Sequence, residues 1–201
     1  MQDLGNVIRT LLLATIIAMG VGGTAAAGPF ENADAAYNEG DYATAMRFWR
    51  ALADQSYARA QYNLGNMYYF GQGIPVDNAE GRMWWHKAAD QGHARAQFNL
   101  GNMYYFGEGV AENVAEAVKW YRKAADQGYA EAQFNFGLMY RLGDGVPQDD
   151  VQAYKWWTLA AAQGNENAIT NTANAAKKMT REQIAEAQRL SAEWKPVGER
   201  D

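Results

Sequence analysis

The nine residues "NLGNMYYFG" stand at Asn63–Gly71 and again, letter for letter, at Asn99–Gly107. Aligning the chain on this stretch gives three consecutive units of equal length, Ala58–His93, Ala94–Tyr129 and Ala130–Asn165, with no gap between them. The first two units share 23 identical positions. A catalytic site is built once, whereas similarity that holds a fixed period marks modules stacked side by side. The second half of each unit recurs as well, at Lys87–Gly92, Lys123–Gly128 and Leu159–Gly164.

Each unit reads as two helices. The leading helix begins near Ala58, Ala94 or Ala130 and ends at a Gly-x-Gly (Gly71 and Gly73, Gly107 and Gly109, Gly143 and Gly145), where glycine admits the left-handed backbone that closes a helix. The trailing helix starts at Asp77, Asn113 or Asp149. Glu80, Glu116 or Gln152 follows three residues on, the spacing of a reciprocal capping box. It ends at Gly92, Gly128 or Gly164. Along it, Gly81, Ala117 and Ala153 are small, and rings follow three and four residues later: Trp84 with Trp85, Trp120 with Tyr121, Trp156 with Trp157. Alanines come at seven and eight, completing one helical face. Six rings on three such faces predict a core rather than a cofactor box.

The flanks are variants of the same unit. Asp41–Tyr57 matches the trailing helix, with Ala45, Phe48 and Trp49 in register, and Gly40-Asp41 turns it back on a partner near Glu31–Glu39. Glu166–Lys178 is a more polar leading helix. Thr180 caps a last one whose inward positions are Ile184, Ala187, Leu190 and Trp194, with Pro196 as its stop. Polar terminal units keep a stacked array soluble. The domain reading is a capping pair at 28–57, three repeats at 58–93, 94–129 and 130–165, a second capping pair at 166–195 and a tail at 196–201.

The N-terminus carries Arg9, an apolar run from Leu11 and the small-residue site Ala25-Ala26-Ala27. This order predicts a signal peptide at 1–27, cleaved after Ala27, and hence a periplasmic or secreted protein with no stable membrane insertion after cleavage. The alternative is a retained anchor, for which the run is marginally long. The chain has no cysteine, which excludes disulfides, thiolate nucleophiles and cysteine-held metals. A net charge of −5 gives no support to nucleic-acid binding.

The small-x-small start, Leu-Gly, Tyr, Gly-x-Gly, Asp, Ala, Trp-aromatic, Ala-Ala and final Gly of Ala58–Gly92 resemble the pattern of the Sel-one-like repeat family, relatives of the tetratricopeptide repeat. Asn113 departs from it in the second unit and Phe136 in the third. The resemblance covers about Ala33 to Trp194. It implies an all-α, right-handed α-solenoid of about five antiparallel helix pairs, and a protein that holds other proteins as an adaptor, regulator or assembly scaffold. One cysteine-rich branch is linked to penicillin binding. The cysteines of that branch are missing here, and its activity is not carried over.

The inventory of reactive side chains argues against an enzyme. Ser56 and Ser191 lie in no Gly-x-Ser-x-Gly turn. His86 takes the place of Arg122 on what reads as an exposed face, and His93 that of Tyr129 in a turn, with no third ligand spaced for zinc. The Gly-x-Gly stretches follow helices and lack the strand and third glycine of a dinucleotide fingerprint. Gly143-Asp144-Gly145 with Asp149-Asp150 lacks the ligand series of a calcium loop. No catalytic residue, metal or cofactor is expected.

The leading helices offer the binding face. Ala60, Leu64, Met67 and Tyr68 share one side, which would pack on the trailing helix. The opposite arc holds Arg59, Tyr62, Asn63, Asn66 and Tyr69 in the first unit, and Arg95, Phe98, Asn99, Asn102 and Tyr105 in the second. Phe70 and Phe106 end these two arcs, and in the third unit the arc holds Glu131, Phe134, Asn135, Leu138, Arg141 and Leu142. The resemblance implies that this arc lines a concave groove. There the amides would hydrogen-bond an extended peptide and the rings supply apolar contact. The same recurrence fits asparagines that bridge neighbouring repeats, and the groove also suits a glycan. Two functions follow: an envelope scaffold or regulator that grips a protein or peptide, or an envelope enzyme acting on cell-wall material.

Overall fold

The computed structural model describes residues 28–197. The expected signal peptide at 1–27 and its cleavage point lie outside the described residues, as does 198–201. Ten helices follow one another with no strand among the described residues, which is the all-α repeat class the sequence predicts. They are α1 (Pro29–Asn38), α2 (Tyr42–Ala53), α3 (Ala58–Phe70), α4 (Asn78–Asp90), α5 (Ala94–Phe106), α6 (Val114–Asp126), α7 (Ala130–Leu142), α8 (Asp150–Ala162), α9 (Glu166–Ala176) and α10 (Arg181–Ala192).

The leading helices α3, α5 and α7 stop where glycine is left-handed. Gly71, Gly107 and Gly143 have φ of 67°, 68° and 72°, and each donates its N–H back to a methionine carbonyl, of Met67, Met103 and Met139. The trailing helices start at side-chain caps: Asp77 accepts from the amides of Ala79 and Glu80, Asn113 from Glu116, and Asp149 from Val151 and Gln152. The reciprocal half of the expected capping box is not made at these three caps. The cap residue's own N–H is taken by the preceding helix, Asp77 donating to Tyr68 O (2.8 Å), Asn113 to Tyr104 O (2.8 Å) and Asp149 to Tyr140 O (2.9 Å). Each connection is thereby stitched to the helix it leaves. A complete capping box forms at Thr180 and Gln183, where the Thr180 N–H goes to the Gln183 side chain.

Two compact units divide the chain, one ending at Trp84 and one beginning at Trp85, so that the boundary passes within α4. In the first, α1 packs on α2 and α2 on α3. Its core holds Trp49, Leu52, Leu64, Met67 and Trp84 around fully buried Ala33, Ala45 and Ala60. In the second, α5 packs on α6, α6 on α7 and α7 on α8, while α8 also receives α9 and α10. All six rings of the three trailing helices are at most 5% exposed, so the core reading holds for each. Helical glycines make the pairing close. A Cβ at Gly101 would stand 2.6 Å from the Tyr121 ring, and one at Gly137 would stand 2.6 Å from Trp157 Nε1.

A device the sequence reading did not single out ties successive repeats. Gln61, Gln97 and Gln133 are at most 4% exposed. Each donates Nε2 to the carbonyl of an alanine eight residues earlier: Ala53 (3.2 Å), Ala89 (3.0 Å) and Ala125 (3.2 Å). Gln97 Oε1 then accepts from Gln127 (2.7 Å), and Gln133 Oε1 from Gln163 (2.9 Å). One buried amide thus joins three helices with both of its polar ends used, as burial requires.

Candidate functional site

The residues of the predicted binding arc divide between the two units. In the first, Arg59 on α3 is exposed, forms an ion pair with Asp34 of α1 and lies 5.2 Å over the Phe30 ring. Tyr62, Asn63, Asn66 and Tyr69 follow on the same helix, all half-buried, and Tyr69 meets exposed Phe70 edge to face at 4.9 Å.

In the second unit the geometry is more definite. Asn102 on α5 accepts a 2.6 Å hydrogen bond from the Tyr121 hydroxyl of α6, and Asn135 on α7 approaches the same oxygen at 3.5 Å. Asn102 and Asn135 are therefore brought together, and the bridging role applies to Asn102, whose oxygen links three helices. Burial is the main reason the Tyr121 hydroxyl is a much weaker acid than usual, so it stays an O–H donor. Tyr105 donates to Asp144 at 3.0 Å, and the neighbouring carboxylate raises its pKa as well. Phe98 packs on Tyr121 (5.9 Å) and Tyr129 (5.3 Å). Asn99 is half-buried and Arg95 exposed. Arg141 pairs with Asp150 at 3.0 Å.

Beside the Asn102–Tyr121–Asn135 cluster lies a pocket of about 120 Å³. Tyr105 and Phe106 of α5, Tyr121 of α6, and Asn135, Leu138 and Leu142 of α7 form its walls. Its volume is well below the roughly 300–1,000 Å³ of small-molecule sites and suits a single apolar side chain. At its rim Phe106 and Leu142 are 64% and 67% exposed, so an apolar group in the pocket would cover apolar surface on both sides. The sequence assigned Tyr121 wholly to the core. The ring is there, but its hydroxyl reaches the face, and only the contact with Asn102 reveals that.

The histidines are placed differently from each other. His93 caps α5, Nδ1 accepting from Ala96 N–H at 3.3 Å, and burial first, then Arg95, lowers its pKa below 6.5. His86 is not on an exposed face as the sequence suggested. It is half-buried because it packs 5.4 Å from the Trp120 ring and approaches the Tyr104 hydroxyl at 3.4 Å. Of the residues weighed as a calcium loop, Asp149 caps α8, Asp150 pairs with Arg141 and Asp144 holds Tyr105. No helix among the described residues is long and apolar enough to cross a membrane, and no group of metal-ligating side chains is found among them.

The family model of the Sel1 repeat matches three times, at residues 58–93, 94–129 and 130–165. Among solved structures, the chain is similar to a protective antigen present in uropathogenic Escherichia coli strains, which displays an SLR fold. Identity is 35%, TM-score 0.75, and the match covers 83% of this chain and 37% of that one. It thus spans little more than a third of that antigen's length. A Sel1 repeat protein from Oxalobacter formigenes is 37% identical with TM-score 0.60, over 63% of this chain and 95% of the other. The cysteine rich protein B of Helicobacter pylori shares the fold at 23% identity and TM-score 0.50, over 59% and 90%. No curated protein matches the sequence.

Proposed function

This chain belongs to the Sel1 repeat family, and from that premise we propose that it is an exported, non-enzymatic scaffold or regulator that grips a protein partner of the cell envelope by an extended peptide segment. Sel1 repeats serve as interaction scaffolds, which supports binding over turnover. The observation that carries the reading is the small pocket between α5, α6 and α7 with Phe106 and Leu142 exposed at its rim. An apolar side chain of the peptide enters the pocket, the rim residues cover its flanks, and the Asn135 amide at the wall lies alongside for its backbone. The leader-like order of residues 1–27 supports export, as does the similarity to a protective antigen.

A random peptide library selected against the full chain tests the binding reading. Selected peptides should share an apolar anchor and lose about tenfold or more in affinity, over 1.4 kcal/mol, against the double variant Phe106→Ser, Leu142→Ser. Both positions are exposed, so the variant keeps its fold. A selection without an apolar consensus, or peptides indifferent to the double change, would move the site elsewhere. Export is tested by fusing residues 1–27 to a phosphatase active only outside the cytoplasm, and an inactive fusion refutes it.

A further inference from the structure

The pocket between α5, α6 and α7 opens at the C-terminal ends of two leading helices, since Phe106 and Leu142 are the last residues of α5 and α7. Each end carries the partial negative charge of its outermost carbonyls. The connections that leave these ends, 107–113 and 143–149, hold Glu108, Glu112, Asp144 and Asp149 and no lysine or arginine. The first repeat differs. Its connection, 71–77, has Asp77 as its only charge, with Gln72 where the later two have Glu108 and Asp144, and Val76 where the second has Glu112. The acidic character therefore belongs to the two repeats that build the pocket.

Two of these carboxylates stand at the pocket itself. Asp144 accepts from the Tyr105 hydroxyl at 3.0 Å, and Tyr105 is one of the walls. A phenol is a neutral donor, so Asp144 keeps its charge. Glu112 folds back beside the end of α5: a Cβ added to Gly107, next to the rim residue Phe106, would lie 3.5 Å from Glu112 Cβ. Tyr105 responds to both. The hydrogen bond to Asp144, then burial, then the charges of Asp144 and Glu112 raise its pKa. Neither Asp144 nor Glu112 forms an ion pair among the described residues. The cations of the three wall helices are placed elsewhere. Arg141 of α7 pairs with Asp150, and on α6 Lys119 pairs with Glu116, Arg122 pairs with Asp126 and Lys123 lies over the Trp120 ring. Arg95 starts α5, about 16 Å from Phe106 at 1.5 Å per residue.

We propose that the peptide held at this pocket is basic: a lysine or arginine stands within two residues of the apolar anchor and meets the carboxylates of Asp144 and Glu112 while the anchor fills the pocket. The inference rests on the peptide-binding reading above and adds the charge of the partner. Two residues of extended chain span about 7 Å, within reach of a long basic side chain. Peptides selected from a random library on the full chain at about 0.05 M salt test it, with affinities read by fluorescence anisotropy. Lysine or arginine should be enriched beside the apolar anchor. Such peptides should bind the double variant Asp144→Asn, Glu112→Gln about threefold or more weakly. Asparagine keeps an acceptor for Tyr105, and Glu112 is exposed. Raising salt from about 0.1 to about 1 M, which shortens the screening length from about 10 to about 3 Å, should weaken them on the native chain by a similar factor, a measurement that needs no substitution. Replacing the peptide's basic residue by glutamine should abolish both effects. Apolar peptides that lose affinity for Phe106→Ser, Leu142→Ser but show no basic enrichment, or acidic enrichment, or equal binding to the charge-neutral variant, overturn this proposal and leave the peptide reading in place. A selection that yields no peptide, or no apolar consensus, removes both.

Discussion

Replacing Gln133 by alanine should cost about 3 kcal/mol, although no apolar side chain is lost and no charge is exposed. Gln133 is 0% exposed and makes two hydrogen bonds, donating to Ala125 O at 3.2 Å and accepting from Gln163 at 2.9 Å. The Ala125 carbonyl also accepts from Gly128 N–H at 2.9 Å, so it is not orphaned and the loss there is one neutral bond, about 1 kcal/mol. The bond to exposed Gln163 contributes about the same, since Gln163 turns to water. The vacated volume adds about 1 kcal/mol for a residual void of about 50 Å³. Gln133→Met retains the volume and isolates the hydrogen bonds, predicting about 2 kcal/mol. Gln163→Ala alone should cost about 1 kcal/mol, and the cycle of Gln133→Ala with Gln163→Ala should show a coupling near 1 kcal/mol. Urea unfolding followed by far-ultraviolet circular dichroism gives all four values. If Gln133→Met lies within about 0.5 kcal/mol of the native protein, or the two alanine changes simply add, the buried amide is filler and not a tie between repeats.

Gly137→Ala should destabilise by about 2 kcal/mol in the same assay despite alanine's better helix propensity, because the added Cβ meets a Trp157 indole that is 3% exposed and bonded to Phe134 O. Ser56→Gly should stabilise by about 1 kcal/mol, read as a raised Tm, because Ser56 holds φ of 67° where the later repeats place glycine. His93 has its pKa lowered in the fold, so its contribution is present above pH 6.5 and is lost as pH falls below that value toward the folded pKa. Melting at pH 7.5 and about pH 5.5 should show a loss in the native chain that His93→Tyr reduces, tyrosine standing at the same repeat position in Tyr57 and Tyr129, and equal slopes would remove His93 from the account.

The helices were legible because their signals are local: a glycine stop, a cap residue and a ring-and-alanine stripe each act within a few residues. What escaped depends on partners far along the chain. The Asp77 cap could be read from the sequence, but the Tyr68 carbonyl that takes its amide could not. Nothing local distinguishes the buried amide of Gln133 from a solvated one. His86 was read as exposed by analogy with Arg122, whereas a ring at that position folds onto Trp120. The arc of leading-helix residues was legible as a face. That Arg141 pairs with Asp150, and that the Tyr121 hydroxyl reaches Asn102, follows from geometry a periodic pattern does not contain.

The identical letters and the differing ones consequently do different work. The residues shared by all three units, the buried glutamine, the helical glycine and the Gly-x-Gly stop, are those whose replacement strains the stacking itself. Function is to be sought where equivalent positions diverge. Asn102 becomes Leu138, which converts an amide into a pocket wall. Phe106 becomes Leu142, so the two exposed rim groups differ in shape. Arg50, His86 and Arg122 are equivalent, and the first two meet the tyrosine hydroxyl of the next leading helix whereas Arg122 pairs with Asp126. The small pocket between α5, α6 and α7 arises in this way, at divergent positions held by an invariant frame. A ligand that distinguished one repeat from another would have to read these substitutions, because the frame presents the same surface each time. Exchanging Leu138 for asparagine should therefore close or reshape the small pocket while leaving the Gln133 tie and the melting temperature nearly unchanged, and peptides selected on the native chain should lose affinity for the exchanged one. Peptides that bound both chains equally would show that recognition rests on the shared frame instead.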